Sequence, residues 1–189
     1  LLRQRGITMP VVVLNADADS FDAMAANRLE PEIYSLRSLH DFAAAVERYG
    51  EQRYPIHVKL DTGMHRLGFV EEELPALLDA LARCGRTVRV ASVFAHLCTS
   101  DDPAQDDFTR LQIARFDRMS SRIAEALPYP VLRHTANSAA IERFPEAQYD
   151  MCRLGLGLYG FGFEHNAALR PVSTLRTRIV QVKRLAPTE

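Results

Sequence analysis

Apolar and β-branched residues gather in short runs along the chain: Val11 to Asn15, Glu32 to Ser35, Ile56 to Asp61, Val88 to Ala95, Val131 to His134, and a weaker one from Met151 to Leu154. Runs of this length between turn residues predict strands. Between them the apolar spacing becomes helical. Leu39, Phe42, Ala43 and Val46 fall at i, i+3, i+4 and i+7, behind a Ser38 placed to cap the helix, and Leu74, Leu77, Leu78 and Leu81 repeat that spacing. Ile113, Phe116, Ser120, Ile123 and Leu127 lie on one face of a third helix.

Strand and helix in alternation predict a parallel sheet, because a parallel neighbour requires a crossover and a helix supplies one. About six such β/α units fit before residue 165. A doubly wound sheet and a (β/α)8 barrel both satisfy the pattern. The polar residues favour the barrel: they follow successive strands, at Asp61 to Arg66, His96 to Asp102, His134 to Ser138 and Arg153 to Gly157. In a barrel the loops after the strands converge on one face, whereas an open sheet gathers such residues at a switch point. The fold class expected is therefore α/β, an incomplete (β/α)8 TIM-type barrel over residues 1–165. The β-rich stretch STLRTRIVQVKRL then reads as the first strand of a C-terminal β domain over 166–189. Both ends look cut, and the start at Leu1 fits either processing or a gene segment that begins partway into a larger protein.

Composition narrows the partner. A net charge of −1 gives no field to hold nucleic acid or an acidic membrane surface, which points to a small molecule. Cys84, Cys98 and Cys152 are odd in number and form no metal-binding spacing, and no leader or membrane-spanning run is visible, so the expected setting is cytoplasmic. Among the 23 basic residues only Lys59 and Lys183 are lysines, which limits any amine nucleophile to two candidates.

Singly, the polar residues have plain structural readings. His96 and His134 could be core histidines, Lys59 could snorkel at a strand edge, Arg66 could be a solvated charge, and Asp101 and Asp102 could cap a turn. Together they suggest more. RLGLGLYG places GxG after a strand, where exposed N–H groups can cradle a phosphate, and ANSAAI puts Ser138 at a helix start that can add donors to the same anion. Loops after the last strands are where barrels commonly hold phosphate.

HVKLDTGMHRLGF, VFAHL, RHTANSAAI and YDMCRLGLGLYGF, in this order, resemble the barrel domain of the alanine racemase family, and LRPVSTLRTRIVQVKRL resembles the start of that family's C-terminal β domain. One departure is His65, which stands where many members have glycine; it suggests a subfamily in which the racemase is fused to a cell-wall ligase. The resemblance implies pyridoxal 5'-phosphate (PLP) as cofactor and a homodimer that interconverts L- and D-alanine for peptidoglycan synthesis by two-base proton transfer. It implies Arg153 at the pyridine nitrogen, with His96 and His134 hydrogen-bonded around it, and Ser138, Gly155 and Leu156 at the phosphate, the last two through backbone N–H. Asn137 would line the pocket. Arg66 would reach the cofactor's phenolic oxygen and the substrate carboxylate, positioned by Lys59 in a carbamylated form.

The resemblance also calls for a lysine that links to the cofactor, in a motif like KANAYGHG on the first strand, and for an opposing tyrosine from the partner subunit. No such lysine motif occurs here, so these 189 residues alone are expected to be inactive. Two rivals remain at this stage. A metal-dependent barrel hydrolase would use His57, Asp61, Asp101, His96 and His134, although no HxH pair is present; a non-catalytic PLP-binding barrel would have no need of the lysine.

Overall fold

The computed structural model describes residues 1–187. Five parallel strands form one sheet in sequence order: β1 (Val12–Val13), β2 (Glu30–Ile33), β3 (Tyr54–Lys59), β4 (Val88–Phe94) and β5 (Leu132–His134). Helices α1 (Phe21–Ala26), α2 (Leu36–Arg48), α3 (Leu74–Arg83) and α4 (Asp106–Ala126) make the crossovers, and α5 (Ser138–Arg143) follows β5. Consecutive strands that neighbour one another throughout, each after a helix, are the topology of a (β/α)8 barrel segment. Among the described residues no helix is long and apolar enough to cross a membrane.

The helices form where the apolar stripe and a cap coincide. In α2 the cap is Ser35: its Oγ accepts the Ser38 N–H at 3.1 Å, while Ser38 Oγ accepts the Ser35 N–H at 3.0 Å. Ser38 thus lies inside the helix as the other half of a capping box. Leu39, Phe42, Ala43 and Val46 are buried beneath it, as are Leu74, Leu77 and Leu81 of α3 and Phe116, Met119 and Ile123 of α4. These side chains meet Ile56, Val58, Val88 and Val90 in one core cluster. Truncating a fully buried aromatic such as Phe116 is worth about 3–5 kcal/mol.

Two elements differ from the sequence expectation. Met151 to Leu154 is not a strand; it follows β5 through two separate bonds, Asp150 N–H to Arg133 O and Arg153 N–H to Ala136 O, both 3.0 Å, without forming a ladder. From Asn166 to Pro187 the described residues pair with no strand, and apolar side chains such as Leu175 and Val180 are 99% and 94% exposed. Strand preference becomes structure only against a neighbouring strand and a surface to cover, and among the described residues this stretch has neither.

The other face of the sheet is polar. Parallel register aligns Glu32 with His57, His57 with Ser92, Lys59 with Phe94, and Phe94 with His134. A register shift sets this row: Ile56 pairs with Val90 but His57 pairs with Ser92, so Ala91 is an extra residue in β4. Bulges of this kind re-aim a side chain. Here the bulge puts a hydroxyl, instead of a methyl, opposite His57.

Candidate functional site

The strand C-termini open into a cleft of about 490 Å³. Arg66, His96, Asn137, Ser138, Arg153, Gly155 and Leu156 all line it, with Leu14 and Asp101. Five separate chain segments therefore supply one cavity.

At one end is a set of anion donors. The N–H groups of Gly155 and Gly157 both point at Ser138 Oγ, each at 3.0 Å. A Cβ on Gly157 would come within 2.6 Å of Leu154 Cδ1, the movable end of an exposed side chain, and 3.6 Å of Ser138 Oγ, so only Leu154 would have to move to admit one. Leu156 begins a 3-10 helix, and no carbonyl of that helix can accept its N–H. Two or three backbone donors around a hydroxyl suit a phosphate or carboxylate. The helix contributes less than the sequence suggested. With six residues, α5 carries little macrodipole, and Asn137 is its cap, accepting the Ala140 N–H at 3.0 Å. The remaining Asn137 bonds, from Ser100 Oγ at 2.8 Å and to Leu97 O at 2.9 Å, tie the loop after β4 to the loop after β5.

Arg153 is fixed from several directions. Its Nη1 donates to His134 Nδ1 at 2.7 Å, and its Nη2 donates to Ala95 O at 2.6 Å and Thr135 O at 3.2 Å. Burial lowers its pKa to about 10, opposed by the negative charge of Glu32, so it remains a cation at neutral pH. His134 stacks flat on Phe94, with 5.0 Å between centroids and 4° between planes, and Arg153 and Lys59 lie 5.3 and 4.8 Å from the Phe94 centroid. His96 departs from expectation: its ring makes no hydrogen bond to Arg153. Its backbone carbonyl accepts from Gln112 Nε2 at 3.2 Å, and burial first, then the charges of Arg153, Lys59 and Arg66, push its ring down to about 4. A neutral imidazole facing the cleft can accept or donate a proton, a property that hydrogen bonding to a guanidinium would restrict.

Lys59 sits on the polar face of β3, buried and pushed down to about 8 by desolvation; Glu32 opposes the shift, and Arg153 and Arg66 add to it. Glu32 itself is buried and accepts the Asn15 N–H at 2.6 Å. Arg66 is exposed, with no hydrogen-bond partner among the described residues, on the loop between β3 and α3. Asp61 shapes that loop by accepting the N–H groups of Gly63 and His65 at 2.9 and 3.0 Å. Burial raises the Asp61 pKa, but those bonds and His65 outweigh it, so its carboxyl is held below the ordinary range. His65, at φ 55, occupies the left-handed region that glycine prefers, and its Nδ1 lies 3.2 Å from Asp61 Oδ2.

Among the described residues no three His, Cys, Asp or Glu side chains are grouped to hold a metal ion. His57 and His134 instead share the Ser92 hydroxyl, at 2.6 and 3.0 Å. Sequence reasoning missed Ser92, Glu30 and Glu32 on this polar face. The available signal was the period-two spacing of the two glutamates in β2, Glu-Pro-Glu-Ile, which is otherwise a buried strand.

A parallel α/β barrel segment with an anion cradle and a partly buried guanidinium at its strand C-termini is the arrangement found at the active-site end of (β/α)8 barrels. The family model described as alanine racemase, N-terminal domain, matches residues 1–162, and the chain belongs to that family. It is 35% identical over 190 residues to an alanine racemase of Symbiobacterium thermophilum, covering 96% of this chain and 49% of the relative. An alanine racemase of Nitratidesulfovibrio vulgaris is 39% identical over 161 residues, with 84% of this chain and 42% of the relative covered. Among solved structures, alanine racemase from D-cycloserine-producing Streptomyces lavendulae superposes with a TM-score of 0.80 at 28% identity, over 90% of this chain and 46% of that one. The chain spans about half the length of the curated relatives it matches.

Proposed function

We propose that this chain is the cofactor-holding part of a PLP-dependent alanine racemase. The observation that carries the reading is the meeting of the Ser138, Gly155 and Gly157 donors with the Arg153 guanidinium in a single cleft. That donor set fits a phosphate at one end and an aromatic nitrogen at the other.

When bound, the cofactor supplies an electron sink that lets the substrate's α-proton leave. Ser138 and the N–H groups of Gly155 and Leu156 bind the phosphate, joined by that of Gly157. Arg153 faces the ring nitrogen, and a permanent cation there keeps a proton off that atom, which moderates the sink and favours returning the proton over side reactions. Arg66 binds the substrate carboxylate, and His96 lines the reaction cavity. Lys59, with its pKa lowered to about 8, takes up dissolved CO2: its unprotonated Nζ bonds the carbon and releases a proton to water, giving a carbamate anion that positions Arg66.

The proton-transferring lysine and tyrosine are assigned to residues outside these 189, since Lys59 has another role and Lys183 lies in the exposed C-terminal stretch. Residues 166–189 are the start of a second, β domain, in a cytoplasmic homodimer acting on alanine; His65 marks a subfamily fused to a cell-wall ligase. The test is D-alanine formation from L-alanine by the full-length protein with and without PLP. PLP-dependent interconversion is expected, with none from residues 1–189 alone. A full-length protein that neither binds PLP nor racemises overturns the reading.

A further inference from the structure

A continuous line of hydrogen bonds crosses the polar face of the sheet. It runs from Arg153 Nη1 to His134 Nδ1 at 2.7 Å, His134 Nε2 to Ser92 Oγ at 3.0 Å, Ser92 Oγ to His57 Nδ1 at 2.6 Å, and His57 Nε2 to Glu30 Oε2 at 2.7 Å. It involves β5, β4, β3 and β2 in turn and descends from the cleft toward the start of β2. The descent is diagonal. His57 pairs with Ser92 directly, while His134 lies two residues beyond the partner of Ser92, and Glu30 two residues before the partner of His57.

The chemistry of the two ends fixes every proton between them. A guanidinium only donates, so His134 Nδ1 must accept and its proton sits on Nε2. That N–H donates to Ser92 Oγ. Ser92 is fully buried and its hydroxyl meets these two rings, so its own proton must go to His57 Nδ1. His57 then carries its proton on Nε2 and donates to the Glu30 carboxylate, which only accepts. Reversing any one bond leaves two donors or two acceptors face to face. The alternative direction would require His134 to accept at both nitrogens, which a neutral imidazole cannot do.

We propose that Ser92, His57 and Glu30 are positioning residues for Arg153: they hold the His134 proton on Nε2, which keeps the Nδ1 lone pair turned to the guanidinium at the cleft. The assignment of Arg153 to a cofactor nitrogen rests on the function proposed above; the proton positions do not. Glu30 also lines a second cleft, of about 280 Å³, with Arg3, Arg28, Arg53 and Tyr54. The far end of the line is therefore reachable from the opposite end of the sheet.

The test is multiple-bond 1H–15N correlation of histidine-labelled, cofactor-free protein near neutral pH. His57 and His134 are each expected to show one protonated nitrogen, Nε2, and one bare nitrogen, Nδ1. Ser92→Ala removes the acceptor of the His134 proton and leaves Arg153 alone to set the tautomer, so the two ring signals of His134 should move toward one another without merging. Glu30→Met should do the same to His57, whereas Glu30→Gln retains an accepting oxygen and should preserve the pattern. A His134 proton on Nδ1, or on both nitrogens, in the unsubstituted protein overturns the proposal without any variant having to fold. So does a folded Ser92→Ala protein whose His134 signals are unchanged. Because no PLP is present, failure of the racemase reading would leave these signals as expected.

Discussion

Ser138 Oγ stands 3.0 Å from the backbone nitrogen of Gly155, and the same oxygen accepts from Gly157. The hydroxyl thus holds two N–H groups in convergence before any anion arrives. Preorganised donors lose little on binding. Ser138→Ala frees both amides and deletes one donor to the anion, a charge-assisted bond worth about 1.5–3 kcal/mol. PLP affinity, followed by fluorescence titration of the full-length protein, should fall at least about tenfold. Gly155 and Gly157 amide signals should shift on adding inorganic phosphate to the unsubstituted protein, and less in the variant.

Gly68 has φ 128, and a Cβ there would lie 2.6 Å from Asp61 N and 2.7 Å from Leu60 C. Both neighbours are backbone atoms in the closure that pairs Leu60 with Phe69, so neither can yield cheaply. Gly68→Ala should destabilise the fold by more than about 2 kcal/mol, read as a lower urea midpoint, and should dislodge the loop that carries Arg66.

Burial, followed by Arg153 and other nearby charges, holds the rings of His134 and His96 down to about 3 and about 4. In the unfolded chain they titrate near 6.5. Between those limits the unfolded state binds more protons than the native one, so stability rises with pH. The contribution is complete above about pH 6.5 and is lost as pH falls toward 4 and then 3. Urea midpoints measured down this range should fall, and His96→Gln should reduce the slope by about one proton.

With its pKa near 8, Lys59 has a reactive fraction of free amine at neutral pH. Protein equilibrated with 13C-bicarbonate should give a carbamate carbon signal that Lys59→Arg abolishes. No signal between pH 7 and about 9 would remove Lys59 from the positioning of Arg66.

The order of strands and helices was legible because each signal is local: β-branched runs, helical stripes and the turns between them. The cleft was legible because polar residues follow strands, so Arg66, His96, Ser138 and Arg153 could be grouped without knowing how the strands pair. What depends on pairing was hidden. Ser92 is one serine in VRVASVF, and its meeting with His57 and His134 depends on the extra residue in β4, a non-local register. The cap of α2 was misplaced by three residues because Ser35 and Ser38 are chemically alike and form one reciprocal motif. His96 was expected to bond Arg153 by its position after β4, yet sequence does not specify ring orientation.

Ala91 alone offsets the Ile56–Val90 pair from the His57–Ser92 pair. Deleting it would straighten the ladder with Ser92 still opposite His57, whereas drawing Ala91 into regular register would bring its methyl to His57, send Ser92 to the helix side, and make every later side chain of β4 trade faces with its neighbour. Divergent copies of this gene should therefore keep a hydroxyl opposite His57 whether or not they retain the extra residue before it, and should lose it only where the register beyond Val90 moves by one.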